Sequence, residues 1–261
     1  MSTVAATGRW AFLLLVYAFV VGPAAIIVVD SFNSATSFPA PFESLTLKWY
    51  ASIARHEEFV ASIRVSTIVA TAAASIATAL GILAAYALVR FPVAGRNAIA
   101  TFLLGPLLVP QIVIGLAMLQ LIELAGLRIG LAGLILVHAV YVMPFALRLT
   151  LTGLARFDFV LEDAARSLGA SRWRTLWHVT LPVIRPALVS GFVFAFILSF
   201  VNLPVSLFLT SPQTATLPIV MFAYMESRID PLVTAVSSLV LFVAVGITLA
   251  LERVFKLRLL G

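Results

Sequence analysis

Cysteine is absent from the 261 residues of this sequence, and charged residues are scarce, at 11%. The lack of cysteine excludes disulfides, Cys-ligated zinc ions, iron–sulfur clusters and thiol nucleophiles. A soluble domain carries about 25% charged residues, so 11% is too few to cover a surface that faces water. With 62% hydrophobic residues, the composition instead predicts a membrane protein that crosses the bilayer several times.

Six runs of mostly apolar residues are long enough to cross a bilayer, since a helix needs roughly 20 residues to span about 30 Å of hydrocarbon. For the first run a cleaved secretory signal is the alternative, but the run is too long and Gly22-Pro23-Ala24 is a poor cleavage site. We therefore predict an all-α membrane protein with six transmembrane helices in a single domain over residues 1–261. The spans cover about 10–29, 63–89, 99–121, 131–151, 182–209 and 232–251.

The basic residues are distributed unevenly between the two sides of these spans. An excess of Lys and Arg is typical of the cytoplasmic side, so the distribution predicts that both termini lie in the cytoplasm. The net charge of +6 is explained by this topology, and we expect no nucleic-acid partner. Twelve of the 17 basic residues fall on the predicted cytoplasmic side: Arg9, Arg90, Arg96, Arg148, Arg156, Arg166, Arg172, Arg174, Arg185, Arg253, Lys256 and Arg258.

Residue types that enzymes use for catalysis are not brought together by this sequence. The three histidines His56, His138 and His178 fall in an outer loop, a span and an inner loop, and no base is placed to activate a serine. No G-x-x-x-x-G-K-[ST] motif is present, so ATP is not bound here by a P-loop. We expect no catalytic residue, no metal site and no cofactor in this chain; an integral-membrane enzyme is the remote alternative.

The inner loop between the fourth and fifth spans predicts two short helices within about residues 158–179. Asp158 can cap the first helix, Glu162 and Arg166 have the i,i+4 spacing of an ion pair, and Gly169 can end the helix at a positive φ. Ser171 can cap the second helix. The element is either a solvated connector or an amphipathic helix that rests on lipid headgroups, or else it docks onto a cytoplasmic partner. The apolar positions of the first helix share one predicted face: Phe157, Leu161, Ala164, Ala165 and Leu168.

The same loop contains a recognisable pattern. Asp163-Ala164-Ala165, then Gly169 after three residues, then Val179-Thr180-Leu181-Pro182 after nine more, resembles the EAA signature of ABC importer permeases. Asp163 and Val179 stand where that family usually has Glu and Ile. The residues that this resemblance implies in coupling to an ATPase are Glu162, Asp163, Ala164, Ala165, Ser167, Gly169, Ala170, Leu181 and Pro182.

The resemblance implies the transmembrane-domain fold of type I ABC importers and a multi-pass location in the bacterial inner membrane. It implies a permease subunit that forms half of the pathway for a small solute. The implied partners are two ATP-binding subunits, a second homologous permease, a periplasmic substrate-binding protein and membrane lipid. ATP and magnesium would be bound by the partner ATPase.

Further segments are similar to the second permease of spermidine/putrescine-type systems, which implies a polyamine or a related organic amine as the solute. That branch carries carboxylates where this sequence has Gln111 and Asn202-Leu203, and none of the six spans has an interior acid. Because a polycation needs charges to replace its lost hydration, a zwitterionic or anionic solute, such as an amino acid or aminophosphonate, is the alternative. The similar segments are Ser31-Phe32-Asn33, Trp49-Tyr50, His138 with Pro144-Phe145, and Leu217-Pro218.

Polar residues beside prolines inside the spans are the candidates for the solute pathway. Proline frees backbone carbonyl groups, and such breaks are tolerated where they line a cavity. The alternative is that these side chains only form hydrogen bonds between helices, and for His138 that role is favoured because it has no metal-binding companion. The candidates are Pro110, Gln111, His138, Asn202, Pro204 and Ser206.

Overall fold

The computed structural model describes residues 3–37, 41–126, 130–228 and 230–255, and these residues are mostly helical. A single isolated β-bridge, between Asn33 and Leu45, is recorded in this part of the chain. The α-helices, in chain order, are α1 (Thr3–Ser31), α2 (Lys48–Ile53), α3 (Glu57–Arg90), α4 (Arg96–Leu104), α5 (Gln111–Leu124), α6 (Leu131–Ala155), α7 (Val160–Ser167), α8 (Arg172–Thr175), α9 (Leu181–Phe200), α10 (Leu217–Ser227) and α11 (Leu232–Phe255).

Within the described residues, five stretches of helix are long and apolar enough to cross a membrane unaided, and a sixth crossing is available if α4 and α5 form one broken span. This matches the six spans expected from the sequence and confirms an all-α membrane protein. The five stretches are Arg9–Ser31, Glu57–Arg90, Leu131–Ala155, Arg172–Phe200 and Leu232–Arg253.

The third predicted span is not one straight helix. Arg96–Leu107 and Gln111–Leu124 meet at an angle of 102°. Pro110 precedes α5 with an extended backbone (ψ 134°), and proline also disfavours helical geometry in the residue before it. The break is therefore built in by Pro110, and it places Gln111 at the first position of a new helix.

The fifth predicted span also ends earlier than expected, because α9 stops at Phe200 and not near residue 209. Pro204 has no amide hydrogen to donate to the carbonyl of Phe200, so the helix cannot continue through it. Turns and a short 3-10 helix (Ser206–Phe208) follow. The separate apolar helix α10 comes next, a helix that was not expected from the sequence.

The chain divides into two compact units. The first unit comprises Met1–Val60 and Met221–Leu249. Within it, Thr234 Oγ1 donates a hydrogen bond to Asp30 Oδ2 (3.0 Å), and a second hydrogen bond joins the hydroxyls of Ser31 and Tyr50 (2.7 Å). These bonds satisfy polar groups that the unit buries.

The second unit comprises Ala61–Val220 and Ala250–Gly261, and its core is built around α6 packed along α9. The two helices approach closely because small residues face each other: a Cβ atom added to Gly153 would lie 2.6 Å from the Cβ of Ala187. Small residues that allow backbones to approach are typical of helix contacts in membranes. This unit carries both candidate sites.

Candidate functional site

Two polar side chains that the sequence analysis singled out, 91 residues apart, meet in the structure. Gln111 Nε2 donates a hydrogen bond to Tyr141 Oη (2.8 Å), and Asn202 Nδ2 donates one to Gln111 Oε1 (3.1 Å). The three residues come from the start of α5, the middle of α6 and the turn after α9. We call Gln111, Tyr141 and Asn202 the amide cluster.

Asn202 also organises the turn in which it lies. Its side-chain oxygen accepts a hydrogen bond from the amide of Val205 (2.9 Å), and its carbonyl accepts one from Ser206 Oγ (2.8 Å). An Asx-type bond of this kind offers the backbone an alternative to the helix ladder, which explains why the helix can end at Phe200 within an apolar segment.

His138 extends the polar contacts into the core. Its Nδ1 lies 2.8 Å from Ser199 Oγ and its Nε2 lies 3.0 Å from Ser206 Oγ. Because the Ser206 hydroxyl donates its proton to Asn202, the Nε2–H group of His138 donates to Ser206 and Nδ1 accepts from Ser199. Both ring nitrogens of His138 therefore form hydrogen bonds within the protein. This is the arrangement expected if His138 forms hydrogen bonds between helices.

The structure brings four of the six pathway candidates together: Gln111, His138, Asn202 and Ser206. Gln111 and the adjacent Pro110 are exposed on the surface of the chain, whereas His138, Asn202 and Ser206 are buried and Pro204 is half-buried. Among these candidates, only Gln111 presents an exposed polar side chain.

Tyr141 is the residue of this cluster that the sequence analysis missed. A hydroxyl in the middle of a span needs a partner, and Tyr141 follows His138 by three positions on the same face of α6. The three-residue spacing from His138 is the feature of the sequence that could have identified Tyr141. The cluster is uncharged, and in the described part of the chain no group of three His, Cys, Asp or Glu side chains could hold a metal ion.

The loop between α6 and α9 folds as two short helices around a glycine. Asp158 Oδ1 accepts a hydrogen bond from the amide of Val160 (3.0 Å) at the start of α7. Gly169 follows α7 with φ of +88°, and Ser171 Oγ accepts a hydrogen bond from the amide of Arg174 (3.3 Å) as the cap of α8. The predicted glycine stop and serine cap are both confirmed. We call residues 157–180 the α7–α8 loop.

The predicted i,i+4 ion pair between Glu162 and Arg166 is wrong. Glu162 is only 1% exposed, and its carboxylate accepts hydrogen bonds from Arg90 Nε (2.9 Å), Thr180 Oγ1 (2.5 Å) and Tyr86 Oη (3.3 Å). The tertiary partners Arg90 and Tyr86 lie more than 70 residues away in the sequence and outcompete a local surface pair, which is worth only a few tenths of a kcal/mol.

The apolar face predicted for the first helix of the loop is largely exposed in the structure. Leu161 and Ala164 are exposed and Leu168 is 90% exposed, so of that set only Phe157 is buried. Trp173 and Trp177 in the second half of the loop are also exposed. The loop therefore presents several apolar side chains outward, although the carboxylate of Glu162 is buried.

Apart from Glu162, the residues implied in coupling lie at or near the surface, in the loop or, for Leu181 and Pro182, at the start of α9. Ala165, Ala170 and Leu181 are half-buried. The exposed ones are Asp163, Ala164, Ser167, Gly169 and Pro182.

Comparison with known proteins gives consistent results. Residues 77–256 match the family model described as "Binding-protein-dependent transport system inner membrane component". The chain is 29% identical over 248 residues to the spermidine/putrescine transport system permease protein PotC of Escherichia coli (strain K12), covering 95% of this chain and 94% of that protein. It is 31% identical over 246 residues to the putrescine transport system permease protein PotI of the same strain, covering 92% of this chain and 87% of that protein.

Among solved structures, the fold resembles a chain from the crystal structure of a bacterial ABC transporter involved in the import of the acidic polysaccharide alginate. The TM-score is 0.68 at 16% sequence identity, and the match covers 98% of both chains. At this identity the likeness shows a shared fold.

Proposed function

Since this chain belongs to the family of binding-protein-dependent transport system inner membrane components, we propose that its amide cluster lines the solute pathway and that its α7–α8 loop docks onto an ATP-hydrolysing subunit. Membership makes the chain a permease subunit of an ABC importer, a multi-pass protein of the inner membrane that serves a small solute. ATP hydrolysis lies on a separate subunit. The working assembly has two such subunits, a second homologous permease and a periplasmic binding protein.

The observation that carries the pathway assignment is the hydrogen-bonded pair Gln111–Asn202 at the 102° break of the third span. Broken helices in membranes are tolerated where they line a cavity, and polar side chains at such breaks are the groups that meet a solute. Gln111 is exposed on the surface of the chain, which is where a partner permease would complete the pathway.

The proposed solute is a polyamine or a related organic amine. The exposed side-chain amide of Gln111 can accept a hydrogen bond from an ammonium group through its oxygen. The two relatives named above are described as putrescine and spermidine/putrescine permeases, which supports this class.

A zwitterionic or anionic solute, such as an amino acid or aminophosphonate, is the second candidate. The neutrality of the amide cluster favours it, because acidic residues in the described spans lie only near helix ends, including Glu57, Glu123 and Glu252. A polycation in such a pathway depends on carboxylates from the partner permease.

The experiment is uptake by the whole complex reconstituted in proteoliposomes with its binding protein. Radiolabelled putrescine, spermidine, an amino acid and 2-aminoethylphosphonate are offered in turn, with ATP inside. We expect ATP-dependent uptake of an amine and competition among amines. Uptake of the amino acid or the phosphonate alone would establish the second candidate, and uptake by this chain without an ATPase subunit would refute the proposed role.

The proposed docking of the α7–α8 loop is based on its exposed apolar side chains. Among them, Leu168 is the most exposed. Truncating a buried apolar anchor of an interface costs about 1–2 kcal/mol, roughly a tenfold loss of affinity. We therefore expect Leu168→Ser to reduce the ATPase subunit that copurifies with the permease. Val160→Ser changes a second exposed apolar residue outside the EAA pattern and measures how far the docking surface extends.

The matched control for Leu168→Ser is Asn97→Ala. Asn97 is exposed on α4, outside the loop, and the substitution removes a polar side chain of similar size. Unchanged copurification of the ATPase subunit with Leu168→Ser, at a normal amount of permease, would contradict docking through this surface.

A further inference from the structure

A buried carboxylate lies where the α7–α8 loop meets two spans. Glu162 is almost completely buried, although the residues beside it, Leu161 and Asp163, are exposed. A charge is tolerated in such a place only when it is paired and hydrogen-bonded. Glu162 meets this condition through Arg90, Tyr86 and Thr180.

These partners come from two different spans. Tyr86 and Arg90 lie in the last two turns of α3, whereas Thr180 directly precedes α9. The carboxylate of Glu162 therefore joins α7 to the end of one span and to the beginning of another.

The contact with Thr180 depends on an unusual turn. Residues Leu176–Thr180 form a π-helix between α8 and α9. Such turns are rare, and they are frequently found at functional sites. Thr180, the last residue of this turn, is fully buried, and its hydroxyl is 2.5 Å from Glu162 Oε1.

Arg90 holds two neighbouring carboxylates at once. Its Nε binds Glu162 and its Nη2 binds the exposed Asp163, each at 2.9 Å, and its guanidinium lies 5.5 Å from the ring centre of Phe159. A guanidinium is planar and presents its donors in a fixed fork, so two carboxylates bound to it have a defined direction. The rotation of α7 about its own axis is thereby set, and with it the outward direction of Leu161 and Leu168.

We infer that Glu162 and Arg90 are positioning residues that transmit a displacement of α7 to α3 and α9 together, and that Glu162 itself does not touch the ATPase subunit. This inference rests on the proposed docking of the α7–α8 loop. It assigns Glu162, which faces inward, a different role from that of the exposed residues of the same motif.

The test is Glu162→Gln in the complete importer, because glutamine keeps the shape of the side chain and removes its charge. The ATPase subunit is expected to copurify in normal amount, while ATP hydrolysis stimulated by the loaded binding protein, and uptake with it, fall about tenfold, within the 5–150-fold range of coupling between sites. Asp158→Asn is the matched control: Asp158 is an exposed carboxylate of the same loop, and asparagine caps helices equally well, so stimulation stays normal.

Variants of Arg90 distinguish positioning from a general structural role. Arg90→Lys keeps the charge that Glu162 needs and is expected to retain part of the stimulation of ATP hydrolysis. Arg90→Gln is expected to lose this stimulation. The double variant Arg90→Gln with Glu162→Gln is expected to be no worse than either single variant, because two residues that act as one unit are not additive. Additive losses would overturn the inference.

Two outcomes separate this inference from the function on which it rests. A wild-type complex that recruits no ATPase subunit refutes the proposed function. Wild-type uptake together with normal stimulation in Glu162→Gln refutes the inference alone. If Glu162→Gln is not inserted in the membrane, Thr180→Val replaces it: a loss of stimulation at normal protein level supports the inference, and normal stimulation overturns it.

Discussion

Gly169 is the residue at which the α7–α8 loop changes direction. Its φ of +88° is a left-handed conformation, and residues with a side chain pay roughly 1–2 kcal/mol to adopt it. No atom lies within 4 Å of a Cβ added there, so the effect of a substitution is on the backbone and not on packing.

We predict that Gly169→Leu leaves the permease in the membrane but lowers ATP hydrolysis stimulated by the loaded binding protein. The turn between α7 and α8 shifts to relieve the strained backbone, and the docking surface loses its geometry. Gly126→Leu is the matched control, because Gly126 also has a positive φ (+65°) and open space around it, outside the loop. Normal stimulation in Gly169→Leu would contradict the prediction.

A second prediction for single residues concerns the side chains of Gln111 and Asn202. Leucine at either position removes the hydrogen bond between their side chains, and Gln111→Leu also removes the exposed amide offered to a solute. We expect Gln111→Leu and Asn202→Leu to change the apparent affinity in uptake assays by about tenfold, the equivalent of one or two hydrogen bonds. Gln120→Leu is the control, since Gln120 is an exposed glutamine two and a half turns further along α5. Uptake kinetics equal to the wild type would assign purely structural roles to both residues.

The helices of the α7–α8 loop show what local patterns can and cannot predict. Gly169 and Ser171 were identified correctly because a helix stop and a helix cap depend on the residue itself and on its immediate neighbours. The burial of Glu162 was not, because its partner Arg90 lies 72 residues earlier in the chain. Helical periodicity grouped the apolar residues of α7 on one face, but the direction of that face depends on the tertiary ion pair between Arg90 and Glu162.

The ends of the spans follow the same rule. Hydropathy extended the fifth span to residue 209 because the segment after Phe200 is still largely apolar. Pro204 and the side chain of Asn202 end the helix sooner. At the third span, Pro110 and Gln111 were identified as pathway candidates from the sequence, but the packing of α5 was not, because Gly115 approaches the backbone of Val205, 90 residues later in the chain.

At the level of helices, we predict that the thermal stability of the permease depends on the close contact between α6 and α9. Gly153→Ala places a methyl group 2.6 Å from the Cβ of Ala187, and extra atoms in a packed core cost typically about 1–3 kcal/mol. We expect a lower melting temperature of the purified permease. At Gly191 in α9 the added Cβ has its nearest neighbours at 3.6 Å, so Gly191→Ala is expected to melt as the wild type does. Equal melting temperatures for the two variants would contradict the close approach.

For the whole molecule, the scarcity of polar side chains makes their positions informative. In a bilayer every buried polar group needs a partner within the protein. Among the described residues, buried side-chain atoms without a hydrogen-bond partner are Thr78 Oγ1 and Thr216 Oγ1. Buried polar side chains that do have partners include those of Asn202 and His138, those of the Glu162 contacts and those of the Asp30–Thr234 contact.

The orientation of the chain in the membrane is the last prediction, and it follows from the positions of the basic residues. Twelve of 17 fall on one side, which predicts cytoplasmic termini and a cytoplasmic α7–α8 loop.

Because the chain has no cysteine, a single introduced cysteine reports its own side unambiguously. A membrane-impermeant maleimide is expected to label Thr36→Cys and Gln213→Cys from the outside of intact spheroplasts, and Ala94→Cys and Asn97→Cys only after the membrane is opened. All four positions are exposed, so access from solvent is not limited by folding. Labelling of Ala94→Cys from outside would reverse the topology and would place the α7–α8 loop where no ATPase subunit can reach it.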